Sequence, residues 1–482
     1  MTIRLKIPDV MRATGGRLVQ PADASATGGP AGASHQGGSG TPEVITGVAT
    51  DSRQVTPGDI FVALRGPNAD GHAFVADAFA RGATLAVVRD AAGAGAGPVL
   101  VVPDPLRALG AIAALHRQTL EATVVGITGS VGKTTTVALC AKVLETRYRV
   151  ARSAESWNAE LGVALTMLGI QATHDIAVVE LAMRGLGEIR DLVAIARPRI
   201  GAVTTIGDTH LELLGSREQI AAAKAELLEG LPADGVAIVN ADEALTDRLI
   251  RNVHCRIVPV GTSRDAEVRA TAITRINGNG YTFHLTLGAQ EADVILPLPG
   301  THQVRNAVVA AAVGHIMHLT PREIVAGLAR ARPAKMRQEL VTIGDVLLID
   351  DTYNASPQSM DAAFEVMAQV GGRRRRILVL GEMRELGPQS EEFHRRVGQR
   401  AAALSPACLL VVGPNARAYL DGAAAGGLQA HAMASAETTA EAIPLLRHIV
   451  QPGDVVLIKG SRAIEMERLA DVLRAPAPVG NA

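Results

Sequence analysis

Two kinds of hydrophobic pattern alternate along most of the chain. Short, nearly unbroken apolar runs recur: TVVGIT at 123–128, DIAVVELAM at 175–183, RIGAVTTIG at 199–207 and GVAIVN at 235–240. Stretches with apolar residues at helical spacing separate them, such as EQIAAAKAELLEGL at 218–231 and HQVRNAVVAAAVGH at 302–315. Continuous rather than alternating runs predict strands buried on both faces, as in a parallel sheet covered by helices. A similar series precedes this block. VITGVATDSR, DIFVALRG, ATLAVV and GPVLVVP read as strands, HAFVADAFARG as a helix ending at Gly82, and LRALGAIAALHRQTL as a helix over Leu106–Leu120. Another follows the segment ARPAKMRQEL, where VLLIDDTYN, RILVLGEM, ACLLVVG and DVVLIKGS read as four strands with helices between. The expected fold class is therefore α/β in three domains: 1–120, a central parallel-sheet domain over 121–333, and a nucleotide-fold-like, Rossmann-like domain over 334–482. Residues 21–41, rich in Gly, Ala and Ser, are expected to form a flexible insertion.

The central block opens on its most specific motif. A β-branched run ends in Gly129-Ser130-Val131-Gly132-Lys133-Thr134-Thr135, and a helical pattern follows. Glycines let backbone N–H groups turn inward around a polyphosphate, and a helix N-terminus adds its positive dipole end. Lys133 would reach the β/γ-phosphates and the Thr134 hydroxyl would bind Mg²⁺. Strict Walker spacing asks for glycine at 127, which holds Ile127, so the loop is a shortened variant.

Ligands of such sheets sit beyond the carboxyl ends of the strands. Glu180, Thr205, Asp208, His210 and Asn240 occupy those positions. Glu180 can hold Mg²⁺ or pair with Arg184. His210 is either a turn residue or a second metal ligand. Lys224 has no carboxylate among its helix neighbours Ile220, Ala221, Leu227 and Leu228, and its spacing alone favours a solvated lysine whose stem covers apolar surface. His302 and Asn306 share a helix face that could meet a base. Arg337 falls at the second boundary, where a cation could bridge a γ-phosphate across two domains. Asp350, Asp351, Tyr353 and Asn354 end a strand, and adjacent acids there are costly unless they bind something.

Composition narrows the classes. The chain has 482 residues, 48% of them hydrophobic, but only 2% aromatic, so a large and mainly aliphatic core is expected. A formal net charge of -1 calls for no nucleic-acid or anionic-membrane partner. The basic run Arg373–Arg376 reads as a solvated loop before a strand. Three widely spaced cysteines fit neither a disulfide framework nor a metal site. No signal-type N-terminus and no stretch of roughly 20 apolar residues is present. A soluble, cytoplasmic protein is the expectation.

On these motifs the chain resembles the Mur ligase family, and within it the F-type ligases. TGSVGKTT is similar to the family's shortened phosphate loop. SWNAELGVALTML, VVELAMRGLGEI, THLELLGSREQIAAAKAELL and PGTHQVRNAVVAAA match in order and approximate spacing. DDTYNASPQSM, GEMRELGPQSEEFH and GDVVLIKGSR are type-specific, and the DNPR element typical of the diaminopimelate- or lysine-adding relatives is missing. TDSRQVTPGDIFVALRGPNADGHAFV resembles the UDP-binding module shared by E- and F-type ligases. Ala182-Met183-Arg184 departs from the small-residue stretch expected after the glutamate.

The resemblance implies a UDP-binding N-terminal domain, a P-loop ATPase-like central domain and a C-terminal lid. It implies an acyl-phosphate route in which ATP drives addition of D-alanyl-D-alanine to UDP-MurNAc-tripeptide, by a monomer without nucleic-acid or membrane partners. Gly129 to Thr135 would hold ATP; Thr134, Glu180, His210 and a carbamylated Lys224 would hold metal. Asn306 would contact adenine, and Arg337 and Asp351 would bring the third domain onto the nucleotide. Ser52, Arg53 and Asn158 would touch the UDP-substrate. Two alternatives remain at this point: another Mur-type or folylpolyglutamate-type ligase, and a non-enzymatic ATP-dependent switch.

Overall fold

The computed structural model describes residues 3–20, 44–91, 97–276 and 280–475. The expected insertion at 21–41 lies outside the described residues. The chain divides into two compact units built from interleaved segments. The first comprises Met1–Gly126, Tyr148–Leu181 and Arg190–Arg199. The second comprises Ile127–Arg147, Ala182–Ile189 and Ile200–Ala482.

In the first unit a five-stranded sheet runs in the order Arg17–Val19, Val99–Val101, Leu85–Val88, Asp59–Val62, Gly47–Ala49. Its first pair is antiparallel and the rest are parallel. Leu85–Val88 and Asp59–Val62 are buried at every position, which is why they read as unbroken apolar runs. The last helix of this region, Pro105–Arg117, begins where Asp104 accepts from the Leu106 and Arg107 amides and proline fills the first turn. Farther along, Val150–Arg152 pairs in parallel with Ile176–Glu180.

The second unit carries the strands Ile200–Val203, Val236–Asn240 and Arg256–Gly261 as a parallel run. Val268–Arg275, Tyr281–Leu287 and Gln290–Leu296 then complete an antiparallel meander. The pattern reading above contains no strand in this meander. Tyr281–Leu287 nonetheless alternates buried and half-buried residues with period two, as a sheet with one covered face requires.

A separate six-stranded sheet runs Glu339–Ile343, Val346–Asp351, Val455–Lys459, Arg376–Gly381, Cys408–Val412, Met433–Ala436. The four strands read from the sequence are its parallel core; Glu339–Ile343 adds an antiparallel edge. The last of the four in sequence lies between the first two, so Asp351 and Lys459 fall in register. Arg374 donates to the Asp345 and Gly453 carbonyls, Arg375 pairs with Asp454, and Arg376 donates to the Leu404 carbonyl. The basic run is exposed over Arg373–Arg375, as expected of a solvated loop, and its guanidinium groups also brace neighbouring turns of this sheet.

Candidate functional site

The strand Thr123–Thr128 hands over to the helix Lys133–Leu144 through the glycine loop. Gly129 (φ 149°) and Gly132 (φ 89°) both have positive φ. A Cβ on Gly129 would overlap Thr204 Oγ1, and one on Gly132 would come within 2.5 Å of Asn306 Oδ1. Only glycine admits both the turn and the close approach. Thr205 braces the loop: its carbonyl accepts from the Ser130 amide at 2.8 Å and its hydroxyl from the Val131 amide at 3.1 Å. Ser130 Oγ accepts from the Gly207 amide at 2.8 Å. Lys133 Nζ donates to the Gly129 carbonyl at 2.9 Å, folded back across its own loop. Thr134 is buried at the start of the helix.

This loop opens onto a pocket that also takes in Thr204, Asn240, Gly261, His302, Arg305 and Asn306. The helix His302–Ile316 brings His302, Arg305 and Asn306 to it. Asn306 Nδ2 donates to Gln303 Oε1 at 3.0 Å. Burial pushes His302 down to about 4, so its imidazole is neutral near pH 7. The shared face expected for His302 and Asn306 is thus present, and both residues line the pocket beside the loop.

Lys224 lies on the helix Arg217–Glu229 and is only 2% exposed. This overturns the solvated reading favoured by its spacing: Ile220, Ala221, Leu227 and Leu228 are themselves buried, so the helix has no wet face there. Among the described residues Lys224 has no ion-pair partner. Burial, and then the positive charge of Lys133, push its ammonium well below the ordinary lysine value.

His210 takes a left-handed backbone (φ 65°), and its Nδ1 lies 2.5 Å from Glu385 Oε2, though not aligned as a hydrogen bond. The close approach of the His210 imidazole holds the Glu385 carboxyl below its ordinary range. Glu385 lies on the loop after Arg376–Gly381, within the type-specific segment GEMRELGPQSEEFH, and its pairing with His210 is a contact the sequence does not predict.

Arg337 lies over the Tyr353 ring, 3.8 Å from its centroid. Asp351 and Lys459, both buried, pair at 2.7 Å. The Gln338 amide also donates to Asp351, and Lys459 Nζ donates to the Asn354 carbonyl at 2.8 Å. Asp350 is held by Arg474 at 2.6 Å and by the Thr352 hydroxyl at 2.7 Å. The adjacent acids expected to bind a ligand are thus each matched by a cation of their own sheet or its last helix.

The remaining predicted residues belong to the first unit. Glu180, buried, accepts from Asn158 Nδ2 at 2.8 Å, and its amide donates to Ser153 Oγ. Ser52 is buried beside Asp77, and Arg53 forms an ion pair with Asp51 at 2.7 Å. Among the described residues no three His, Cys, Asp or Glu side chains gather into a metal cage. A threonine hydroxyl such as that of Thr134 suits Mg²⁺, which keeps several waters and takes oxygens from phosphate.

A glycine loop at a helix start, opening on a cavity with an asparagine-bearing helix beside it, marks an α/β protein of the nucleotide-dependent class. The chain belongs to the Mur ligase family. The Mur ligase family, catalytic domain, matches residues 44–117; the Mur ligase middle domain, 127–314; and the Mur ligase, glutamate ligase domain, 336–462. The chain is 35% identical to the UDP-N-acetylmuramoyl-tripeptide--D-alanyl-D-alanine ligase of Synechocystis, over 90% of this chain and 93% of that one. It is 36% identical to the ligase of the same name from Mycobacterium tuberculosis, with 99% of each covered. Among solved structures, MurF from Acinetobacter baumannii matches with TM-score 0.85 and 31% identity, covering 98% of this chain and 100% of that one. MurF from Thermotoga maritima, solved in complex with ADP, matches with TM-score 0.76 and 26% identity over 89% and 97%. Folylpolyglutamate synthase from M. tuberculosis shares the fold alone, at 18% identity and TM-score 0.62. No helix among the described residues is long and apolar enough to cross a membrane.

Proposed function

We propose that this chain is the ATP-dependent ligase that joins D-alanyl-D-alanine to UDP-MurNAc-tripeptide, the last cytoplasmic step in making the peptidoglycan precursor nucleotide. One observation carries the site assignment: Gly132 of the phosphate loop and Asn306 of the neighbouring helix line the same cavity. ATP would lie there with its phosphates on Gly129 to Thr135 and its adenine against Asn306.

In the first step a tripeptide carboxylate oxygen attacks the γ-phosphorus. An O–P bond forms, the bond to the β-phosphate oxygen breaks, and ADP leaves. Both partners are anionic, so the Lys133 ammonium offsets their repulsion. In the second step the dipeptide amine attacks the acyl-phosphate carbonyl. A C–N bond forms, the C–O bond to phosphate breaks, and the amine loses a proton. Arg337 and Asp351 would bring the third domain over the nucleotide and exclude the water that would hydrolyse the acyl phosphate.

Thr134, Glu180 and His210 would hold Mg²⁺, which when bound supplies positive charge against the triphosphate. Lys224 would join them after carbamylation. Its neutral amine adds to carbon dioxide, forming an N–C bond and releasing a proton, and a cation site becomes a carboxylate. The depressed basicity of the buried amine supports this reading, since only the unprotonated amine reacts. Ser52, Arg53 and Asn158 are assigned to the UDP-substrate. The domains assigned are 1–120, 121–333 and 334–482, and the working unit is a monomer.

The test is ATP turnover by purified protein. Phosphate release is expected only with UDP-MurNAc-tripeptide and D-alanyl-D-alanine present together. Turnover with a folate-glutamate substrate, or none with the cell-wall pair, overturns the proposal.

A further inference from the structure

The helix Pro357–Val370 of the C-terminal sheet region carries two polar side chains that the mechanism leaves unused. Glu365 and Gln369 stand one turn apart and therefore share a face. Glu365 Oε1 accepts from the Thr301 amide at 2.9 Å, and Oε2 from the Thr301 hydroxyl at 3.0 Å. Gln369 Oε1 accepts from the Gly300 amide at 3.0 Å. That amide fixes which end of the Gln369 side chain points inward, since only oxygen can accept. Tyr281 Oη, on the antiparallel meander, donates toward both at 3.3 and 3.2 Å.

Gly300 and Thr301 immediately precede the helix His302–Ile316, and Thr301 is its N-cap. The Thr301 side chain makes no capping bond to its own helix; it is turned to Glu365 instead. The negative charge of Glu365 also sits against the positive end of that helix dipole, where it is stabilising. One turn farther on, Arg305 and Asn306 enter the cavity beside His302. A second polar link runs in parallel: Asn306 donates to Gln303, and Gln303 Nε2 reaches Gln338 Oε1 at 3.5 Å. Gln338 and Met336 flank Arg337 with φ of 54° and 60°, a left-handed backbone unusual for such residues.

We propose that Glu365 and Gln369 are positioning residues for the nucleotide: by gripping Gly300 and Thr301 they set the start of the helix that carries His302, Arg305 and Asn306 into the cavity. The inference rests on the reading of that cavity as the nucleotide site. It makes nucleotide affinity and the seating of the C-terminal region two sides of one coupling, because an interaction that favours one bound arrangement must be favoured by it in return.

The test uses the full chain with ADP and magnesium chloride, titrated calorimetrically, and steady-state turnover alongside. Glu365→Ala combined with Gln369→Ala is expected to raise the ADP dissociation constant and the KM for ATP about tenfold, with kcat changed far less. Glu365→Gln keeps one acceptor for Thr301 and should recover part of the loss. A dissociation constant within twofold of wild type in the double variant overturns the inference. Should the double variant fail to fold, Glu365→Gln decides alone, by a rise of at least threefold or its absence. Wild-type protein that binds no ADP overturns the cavity reading first, and this inference with it.

Discussion

Two buried lysines, each 2% exposed, sit in opposite circumstances. Lys459, in the C-terminal sheet, meets Asp351 at 2.7 Å and the Asn354 carbonyl at 2.8 Å. Among the described residues Lys224, on the helix Arg217–Glu229, has no ion-pair partner; burial and then the charge of Lys133 act on it. An ammonium that gains a partner on burial can remain charged and hold a sheet edge together. One that gains only another cation is driven toward the neutral amine. The difference teaches that burial alone does not identify a functional lysine; burial without a counter-charge is the informative state.

The strongest way to break this contrast is to remove the cation beside Lys224. Lys133→Ala should lower ligation on the order of 10³-fold or more, the scale of losing a charge that meets the transferring phosphoryl group. Near-normal turnover at saturating ATP would refute that role. Lys459→Met should lower stability by about 3–5 kcal/mol in urea unfolding, because Asp351 is left buried without its partner. A loss below about 1 kcal/mol would mean the pair contributes little.

Lys224→Ala should cost roughly 10- to 100-fold in activity, on the scale seen when groups supporting a metal site are removed. Added short carboxylic acids should partly restore it by standing in for the carbamate. No rescue, with an unmodified amine found by mass spectrometry under carbon dioxide, would argue against carbamylation. The finest test is a slope. The folded-state value of Lys224 is depressed, so the unfolded chain binds the extra proton between that value and 10.5. Unmodified protein should gain stability as pH rises through that window, by up to about 1.4 kcal/mol per unit. Lys224→Met should lack that contribution. Identical slopes in the two proteins would show the amine to be solvated.

The resemblance and the site share a lesson about legibility. Strands buried on both faces announce themselves as apolar runs, and all four read in the C-terminal region are present. The phosphate loop is equally legible, because its glycines answer to local backbone geometry: Gly129 and Gly132 have positive φ and crowded surroundings. The meander over 268–296 passed unread although YTFHLTL alternates plainly, because attention to unbroken runs hides a period of two. Lys224 is illegible for a different reason. Its helix is rich in alanine, and alanine is as compatible with a buried face as with a wet one.

What the order of residues settled was everything governed by neighbours a few positions apart: the strand–loop–helix of the phosphate site, the proline-marked helix start at Asp104, and the parallel runs. What needed the folded chain was every pairing across long separations. Asp351 meets Lys459 because a late strand is inserted beside an early one, and Thr301 meets Glu365 because one helix lies across the start of another. Such contacts depend on strand order and helix placement, which loop closure and core packing choose together, and no spacing within a local window encodes them.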